Sequence, residues 1–310
     1  MLDSIEYFIK YIFAPFILCT GLIGNITGFI IMKSKKLENI GPRTMYKCMF
    51  IMDTLFLFQV LLFYSTRAYG KNISTVSELL CKMYNYLNYS LCPISPMLLC
   101  YISMDRFVAI RLPSSKGTMR RERNQLLYFM IILTFNALYY IPMPFAYSII
   151  NLSESTNQTR LTCYFAEFRK IGVILSWMDL ANYVLMPFTL MFLCSFLIIF
   201  TIFQSRRNVS RNQKSNKNLD RDIRFSVTCF VLNLLYLLLN LPLAIILLFP
   251  INFSATFFSL TNYLFYLSYA VNFYILLFTN SLIRRQFLEL FKGKRPANHG
   301  SHSARTTRIS

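Results

Sequence analysis

The chain has 310 residues, of which 55% are hydrophobic and only 15% charged, and it carries a formal net charge of +19. A soluble domain of this size holds about 25% charged residues, so the composition excludes an ordinary water-soluble fold. Both histidines, His299 and His302, lie near the C-terminal end, which excludes His-based metal or acid–base chemistry within the apolar part and argues against an enzyme.

Uncharged stretches run 11–32, 48–66 (interrupted by Asp53), 83–104, 124–153 and 180–205. A membrane helix needs about 20 apolar residues, so each stretch accounts for one span. From Phe225 to Ile283 no residue is charged. The segment "FPINFSA" (249–255) places Pro250 and polar Asn252 and Ser254 near the middle of that run, a turn signal that divides it into two spans. The predicted spans are 7–33, 44–67, 78–111, 124–150, 173–205, 220–249 and 256–280. Helix is preferred over barrel strand because the runs are continuously apolar rather than alternating, and an open sheet cannot cross lipid. The fold class is therefore an all-α membrane protein, a seven-helix bundle within 1–292. A polar tail at 293–310 is expected to be disordered. The opening "MLDSIEYFIK" carries Asp3 and Glu6 where a signal peptide needs basic residues, so span 1 is expected to act as its own insertion signal.

Charge sets the orientation. Of the 32 Lys and Arg, 25 follow spans 1, 3, 5 and 7. Basic loops stay in the cytoplasm, so the N-terminus is outside. The same loops face anionic lipid, which accounts for the net charge with no nucleic-acid partner. Glycosylation sequons at Asn72, Asn151, Asn157 and Asn252 fall on outer loops; Asn208 matches the pattern on the inside. Six of the eight cysteines lie within spans and read as small buried hydrophobes. Cys81 and Cys163 lie at or beyond the outer edge, where oxidation is allowed. A bond between them would tie the top of span 3 to the loop after span 4. Cys81 and Arg106 are 25 residues apart, roughly 37 Å of helix, which puts Arg106 at the inner mouth.

Two charged positions call for a role. Asp53 lies within a span, where an acid costs about 2.5–3.5 kcal/mol and turns toward the bundle interior. It reads either as a hydrogen-bonding hub or, with Asn25, Ser95 and Asn272 at similar depth, as an oxygen site for a hard cation such as sodium. Arg106 beside Asp105 reads either as a snorkelling interfacial pair or as half of a clamp to Asp222 at the inner end of span 6. Breaking that clamp would free span 6, the kind of two-state element a switch requires. Pro142, Pro187 and Pro242 are expected to kink or hinge their spans.

These residues resemble the rhodopsin-like (class A) G-protein-coupled receptors over roughly 7–292. "GNITGF" places Asn25 at the family's helix 1 asparagine. "FIMDTLF" places Asp53 at its sodium-site aspartate, with Ser95 and Asn272 matching other members of that site. "DRF" at Asp105–Phe107 is similar to Asp-Arg-Tyr, with Phe107 for tyrosine. Pro187 and Pro242 match the prolines of helices 5 and 6, and Cys81 and Cys163 match the outer disulfide. "SLIRRQFLELF" (281–291) looks like the short amphipathic eighth helix. The departures are Asn240 in place of a helix 6 tryptophan, Phe273 and Leu276 in place of the proline and tyrosine of Asn-Pro-x-x-Tyr, and Ser195 in place of a helix 5 tyrosine. Asn-Phe in that helix 7 position is similar to invertebrate neuropeptide receptors of the FMRFamide-like type.

The resemblance implies a plasma-membrane receptor, an extracellular ligand, a heterotrimeric G protein at the inner loops and arrestin at the tail. The expected pocket residues are Tyr84, Asn88, Trp177, Asp179, Tyr263 and Tyr266. Helix 7 contains no lysine for a retinal Schiff base. No acid occurs between Lys82 and Asp105, which argues against a simple biogenic amine. Acids near the outer mouth (Glu78, Glu167, Asp179) suit the basic end of a short peptide, such as an Arg-Phe-amide. The alternatives are a receptor for a non-peptide or chemosensory ligand and, from another class, a transporter or channel. Internal repeats and several mid-depth charges would mark the latter, and only Asp53 is present. No cofactor is expected beyond an allosteric sodium ion.

Overall fold

With no water in lipid to satisfy backbone groups, apolar runs of this length close their hydrogen bonds internally as helices. The computed structural model describes residues 9–38, 41–68, 73–111, 121–153, 159–165, 174–175, 177–211, 217–248 and 254–292. Among the described residues, six helical segments are long and apolar enough to cross a membrane: Tyr11–Met32, Arg43–Phe63, Glu78–Ala109, Glu122–Ala146, Trp177–Thr201 and Ile223–Ile246. A seventh is divided at Val271 into Ala255–Ala270 and Asn272–Thr279. The short helix Ser281–Phe291 follows, capped by Asn280, whose side chain accepts from the Leu282 amide. Large apolar side chains such as Phe196 (62%) and Ile23 (64%) face outward, as a lipid-facing surface requires.

The helices depart from the sequence expectation at three places. Span 3 is two helices, Glu78–Leu91 and Ile94–Arg111, because Pro93 and Pro96 each remove a backbone donor. The helix of span 4 ends at Tyr139 rather than running to 150, and Pro142 opens a 3-10 turn over Met143–Ala146 instead of kinking a longer helix. Residues 147–150 belong to β1 (Tyr147–Ser153), which pairs antiparallel with β2 (Thr159–Phe165). Span 5 opens with a π-helical segment, Leu180–Leu185, before Met186–Arg211. Pro187 thus sits in the first regular turn of a helix rather than at its middle, whereas Pro242 lies inside the helix Lys217–Leu248.

Span 1 packs closely against spans 2 and 7 because it presents glycine there. A Cβ on Gly21 would lie 2.7 Å from both Ala270 Cβ and Leu57 Cδ1, and one on Gly28 would lie 2.6 Å from the Phe50 ring. The core forms two layers. The inner one includes Tyr46, Phe50, Ile102, Phe225 and Phe273. The outer one includes Phe56, Tyr183, Tyr263, Phe265 and Tyr269.

Candidate functional site

At the inner end Arg106 is 1% exposed. Its Nε donates to Asp105 Oδ2 at 3.1 Å, and its Nη2 bonds the same oxygen. A charge this buried needs a counter-ion and hydrogen bonds to offset its lost hydration. The Phe225 ring of span 6 lies 5.9 Å from the guanidinium carbon. A surface snorkelling pair is therefore the wrong description of Asp105 and Arg106. Phe107 is half-buried beside them. Asp222, the expected clamp partner, lies on the span 6 helix three residues before Phe225, and its side chain is outside the described residues.

One turn above Arg106, a buried amide joins three spans. Asn233 Nδ2 donates to Ser103 Oγ at 2.8 Å and to Ser195 Oγ at 3.0 Å. The Ser103 hydroxyl also lies 3.2 Å from Cys229 Sγ. Ser195, which departs from the family's tyrosine, is thus one acceptor of a span 3–5–6 junction. Sequence reasoning missed Asn233. A single amide in an unbroken apolar run is its only signal.

Around mid-depth Asp53 is fully buried. Its Oδ2 accepts from Asn272 Nδ2 at 2.8 Å, and the Ser95 side chain lies beside the carboxylate. Asn25 Nδ2 donates instead to the Tyr269 carbonyl at 3.2 Å, just before the break in span 7. Asp53 Oδ1 and Asn25 Oδ1 are buried without a hydrogen-bond partner among the described residues. Of the four expected site members, Asp53 and Asn272 bond directly, Ser95 lies beside them, and Asn25 turns to the Tyr269 carbonyl.

A proline frees a further backbone carbonyl, and a tyrosine takes it. Pro96 cannot donate to the Cys92 carbonyl, and Tyr269 Oη donates to it at 2.7 Å. Tyr236 Oη of span 6 lies 3.5 Å from the Tyr183 carbonyl of span 5, at the edge of hydrogen-bond range. Asn240, in place of the expected tryptophan, accepts from the Tyr183 hydroxyl and donates to the Tyr236 carbonyl at 2.8 Å. Spans 5 and 6 therefore meet through a polar pair in the outer layer of the core.

At the outer end Cys81 and Cys163 form a disulfide with Cα atoms 5.7 Å apart. It fixes β2, and with it the hairpin, to the top of span 3. The expected pocket residues separate into groups. Tyr263 and Tyr266 touch edge to face at 6.3 Å beside Phe56 and Phe265. Tyr84 stacks on Phe63 of span 2 at 4.7 Å. Asn88 is half-buried one turn above Cys92. Trp177 is 58% exposed and converges with none of them. Asp179 is half-buried and meets Tyr140 of span 4. Glu78 pairs with Lys82 at 2.9 Å on its own helix. Glu167 lies outside the described residues, as do Asn72, Asn157, Asn252, the side chain of Asn151 and the tail 293–310.

The inner face is fastened at two further points. Lys47 reaches Glu122 at 3.0 Å, joining spans 2 and 4. Lys36 reaches Glu289 on the short terminal helix at 2.7 Å, and its hydrogen bond holds that carboxyl below the usual glutamate range.

The family model described as 7 transmembrane receptor (rhodopsin family) matches residues 26–280. No curated protein matches the chain.

Proposed function

We propose, from the premise that the chain belongs to the rhodopsin family of seven-transmembrane receptors, that it binds a short extracellular peptide and signals through a heterotrimeric G protein. It is a multi-pass plasma-membrane receptor and not an enzyme. The observation that carries the coupling reading is the buried Arg106, held by Asp105 and covered by Phe225 of span 6. Movement of span 6 would uncover a fixed positive charge at the inner mouth, flanked by basic loops. The peptide reading rests on the outer mouth, where a disulfide-held hairpin stands beside tyrosines and an acid. FMRFamide-like peptides are one candidate class, and arrestin at the Ser/Thr-bearing tail is a further proposed partner.

A sodium ion fits the Asp53 site as an allosteric ligand. The unpaired Asp53 Oδ1, with the Ser95 hydroxyl, offers oxygen donors of the kind a hard cation takes. The ion would supply a positive charge that offsets the buried carboxylate.

The test is nucleotide exchange on purified G proteins in membranes carrying this chain, with a library of short amidated peptides added. Exchange stimulated by one peptide family supports the reading. No stimulation by any peptide, with stimulation by a non-peptide extract, reassigns the ligand class.

A further inference from the structure

Asp179 is the acid of the outer half of the bundle whose surroundings are best defined. It sits at the N-cap of the π-helical segment Leu180–Leu185 and makes no capping bond there. A π-turn inserts a residue and rotates what precedes it by about 100° relative to the regular helix that follows. Asp179 and Asn182 both face span 4 from this segment. Asn182 Nδ2 donates to Asn136 Oδ1 at 3.0 Å and to Tyr140 Oη at 3.2 Å. The Tyr140 hydroxyl in turn donates to Asp179 Oδ1 at 3.0 Å. The chain of amides and phenol fixes the carboxylate in place before any ligand arrives.

That carboxylate is underfilled. An ionised carboxyl has about four acceptor positions, and one phenol occupies one of them. No Lys or Arg pairs with it among the described residues, although an unpaired acid in a span is costly. It is half-buried rather than sealed. The nearby walls are aromatic. Tyr140 packs on Tyr89 at 6.0 Å and on Tyr139 at 5.2 Å. The Tyr89 and Tyr147 hydroxyls meet at 3.0 Å, and the Tyr147 ring meets Phe165 of β2 at 4.9 Å. The Tyr139 hydroxyl donates to the Met178 carbonyl, next to Asp179, at 3.0 Å. Ring faces attract cations, and the set is anchored from outside by the disulfide-held hairpin.

We infer that Asp179, positioned by Tyr140 and Asn182 and walled by Tyr89, Tyr139 and Tyr147, is a subsite for an organic cation, the guanidinium or ammonium group of the activating ligand. The inference rests on the receptor reading and narrows it. The subsite recognises charge and leaves the rest of the ligand to the separate tyrosine group at Tyr263 and Tyr266. The mouth's other described acid, Glu78, is already paired with Lys82, so Asp179 is the one prepared for a partner from outside.

The probes are three neutral-backbone dipeptides: acetyl-Arg-Phe-amide, acetyl-Lys-Phe-amide and acetyl-citrulline-Phe-amide. Citrulline keeps the shape of arginine and removes its charge. Thermal stability of the detergent-solubilised full-length protein is followed as each probe is added up to millimolar concentration. The expected result is stabilisation by at least one cationic probe, at least about tenfold weaker binding of the citrulline probe, and loss of the difference in Asp179→Asn. Stabilisation by the arginine probe alone assigns a guanidinium, and by the lysine probe alone an ammonium. A citrulline probe that stabilises as well as the better cationic probe, an undiminished difference in Asp179→Asn, or no effect of any probe would overturn the subsite. If Asp179→Asn does not reach the cell surface, the comparison of the better cationic probe with citrulline on the unmodified protein decides by itself. Tyr140→Phe, which keeps the acid and removes its internal donor, should retain the preference for charge. A library peptide that drives nucleotide exchange equally well without any cation would sink this subsite and leave the receptor reading intact.

Discussion

The hydroxyl of Tyr269 on span 7 donates at 2.7 Å to the carbonyl of Cys92 on span 3, the carbonyl that Pro96 leaves without its helical donor. A proline normally weakens a helix by leaving such an acceptor unpaired. Here a neighbouring helix pairs it, so the break in span 3 and the position of span 7 depend on each other. Tyr269→Phe strips the donor and leaves a buried carbonyl, a loss of about 1–3 kcal/mol. Pro96→Ala restores a backbone N–H to the same acceptor. The cost of Tyr269→Phe measured by thermal denaturation should therefore be smaller in the Pro96→Ala background. Equal costs in the two backgrounds would show that the residues are not coupled.

Asn233 holds span 6 to Ser103 and Ser195 in the dry interior. Asn233→Leu replaces the amide with an apolar group of similar size and severs both bonds. Ligand-free nucleotide exchange should rise severalfold, because the closed arrangement loses two hydrogen bonds worth about 1 kcal/mol each. Basal exchange at the unmodified level would assign the junction a purely structural role.

Asp222 lies near the inner end of the span 6 helix, three residues before Phe225. Asp222→Ala is expected to raise ligand-free signalling, as is Phe225→Ala, which removes the ring over Arg106. A rise in the second variant alone would place the restraint in the aromatic cover and not in an Arg106–Asp222 bridge.

Cys81→Ser removes the bond that fixes the hairpin to span 3. Disulfide loss in an outer region costs about 2–5 kcal/mol. Surface expression or probe binding should fall. Normal values of both would make the bridge dispensable.

Sodium chloride should raise the thermal stability of the purified protein above that in choline chloride at equal ionic strength. Asp53→Asn should abolish the difference. A sodium effect that survives the substitution would locate the ion elsewhere.

The spans and their orientation were legible because hydropathy and loop charge act over twenty residues at a time, and no single packing detail can reverse them. Cys81, Cys163, Asp53 and Asn272 were legible because each was the odd chemical type in its segment. The break in span 3 was also written in Pro93 and Pro96, and the hairpin in the β-branched and aromatic runs "YSIINLS" and "TRLTCYF". Both were overlooked in favour of uniform helices. The Asn182–Tyr140–Asp179 relay was not legible. Which side of span 5 those residues occupy depends on the π-turn, and a one-residue change in helical register leaves no mark on hydrophobicity. Trp177 failed for the same reason, since its outward direction follows from rotation and not from its type.

The glycines of span 1 divide the molecule into unequal halves. Where Gly21 and Gly28 let backbones approach, Tyr274 Oη also donates to the Thr20 carbonyl at 2.9 Å, and Ser34 to Gln286 at 2.7 Å. Spans 1, 2 and 7 and the short terminal helix are thereby stitched into one frame. Spans 5 and 6 pack on span 3 through the apolar inner layer and through the polar contacts of Asn233. Bulk added at Gly28 should misalign that frame before it touches any ligand.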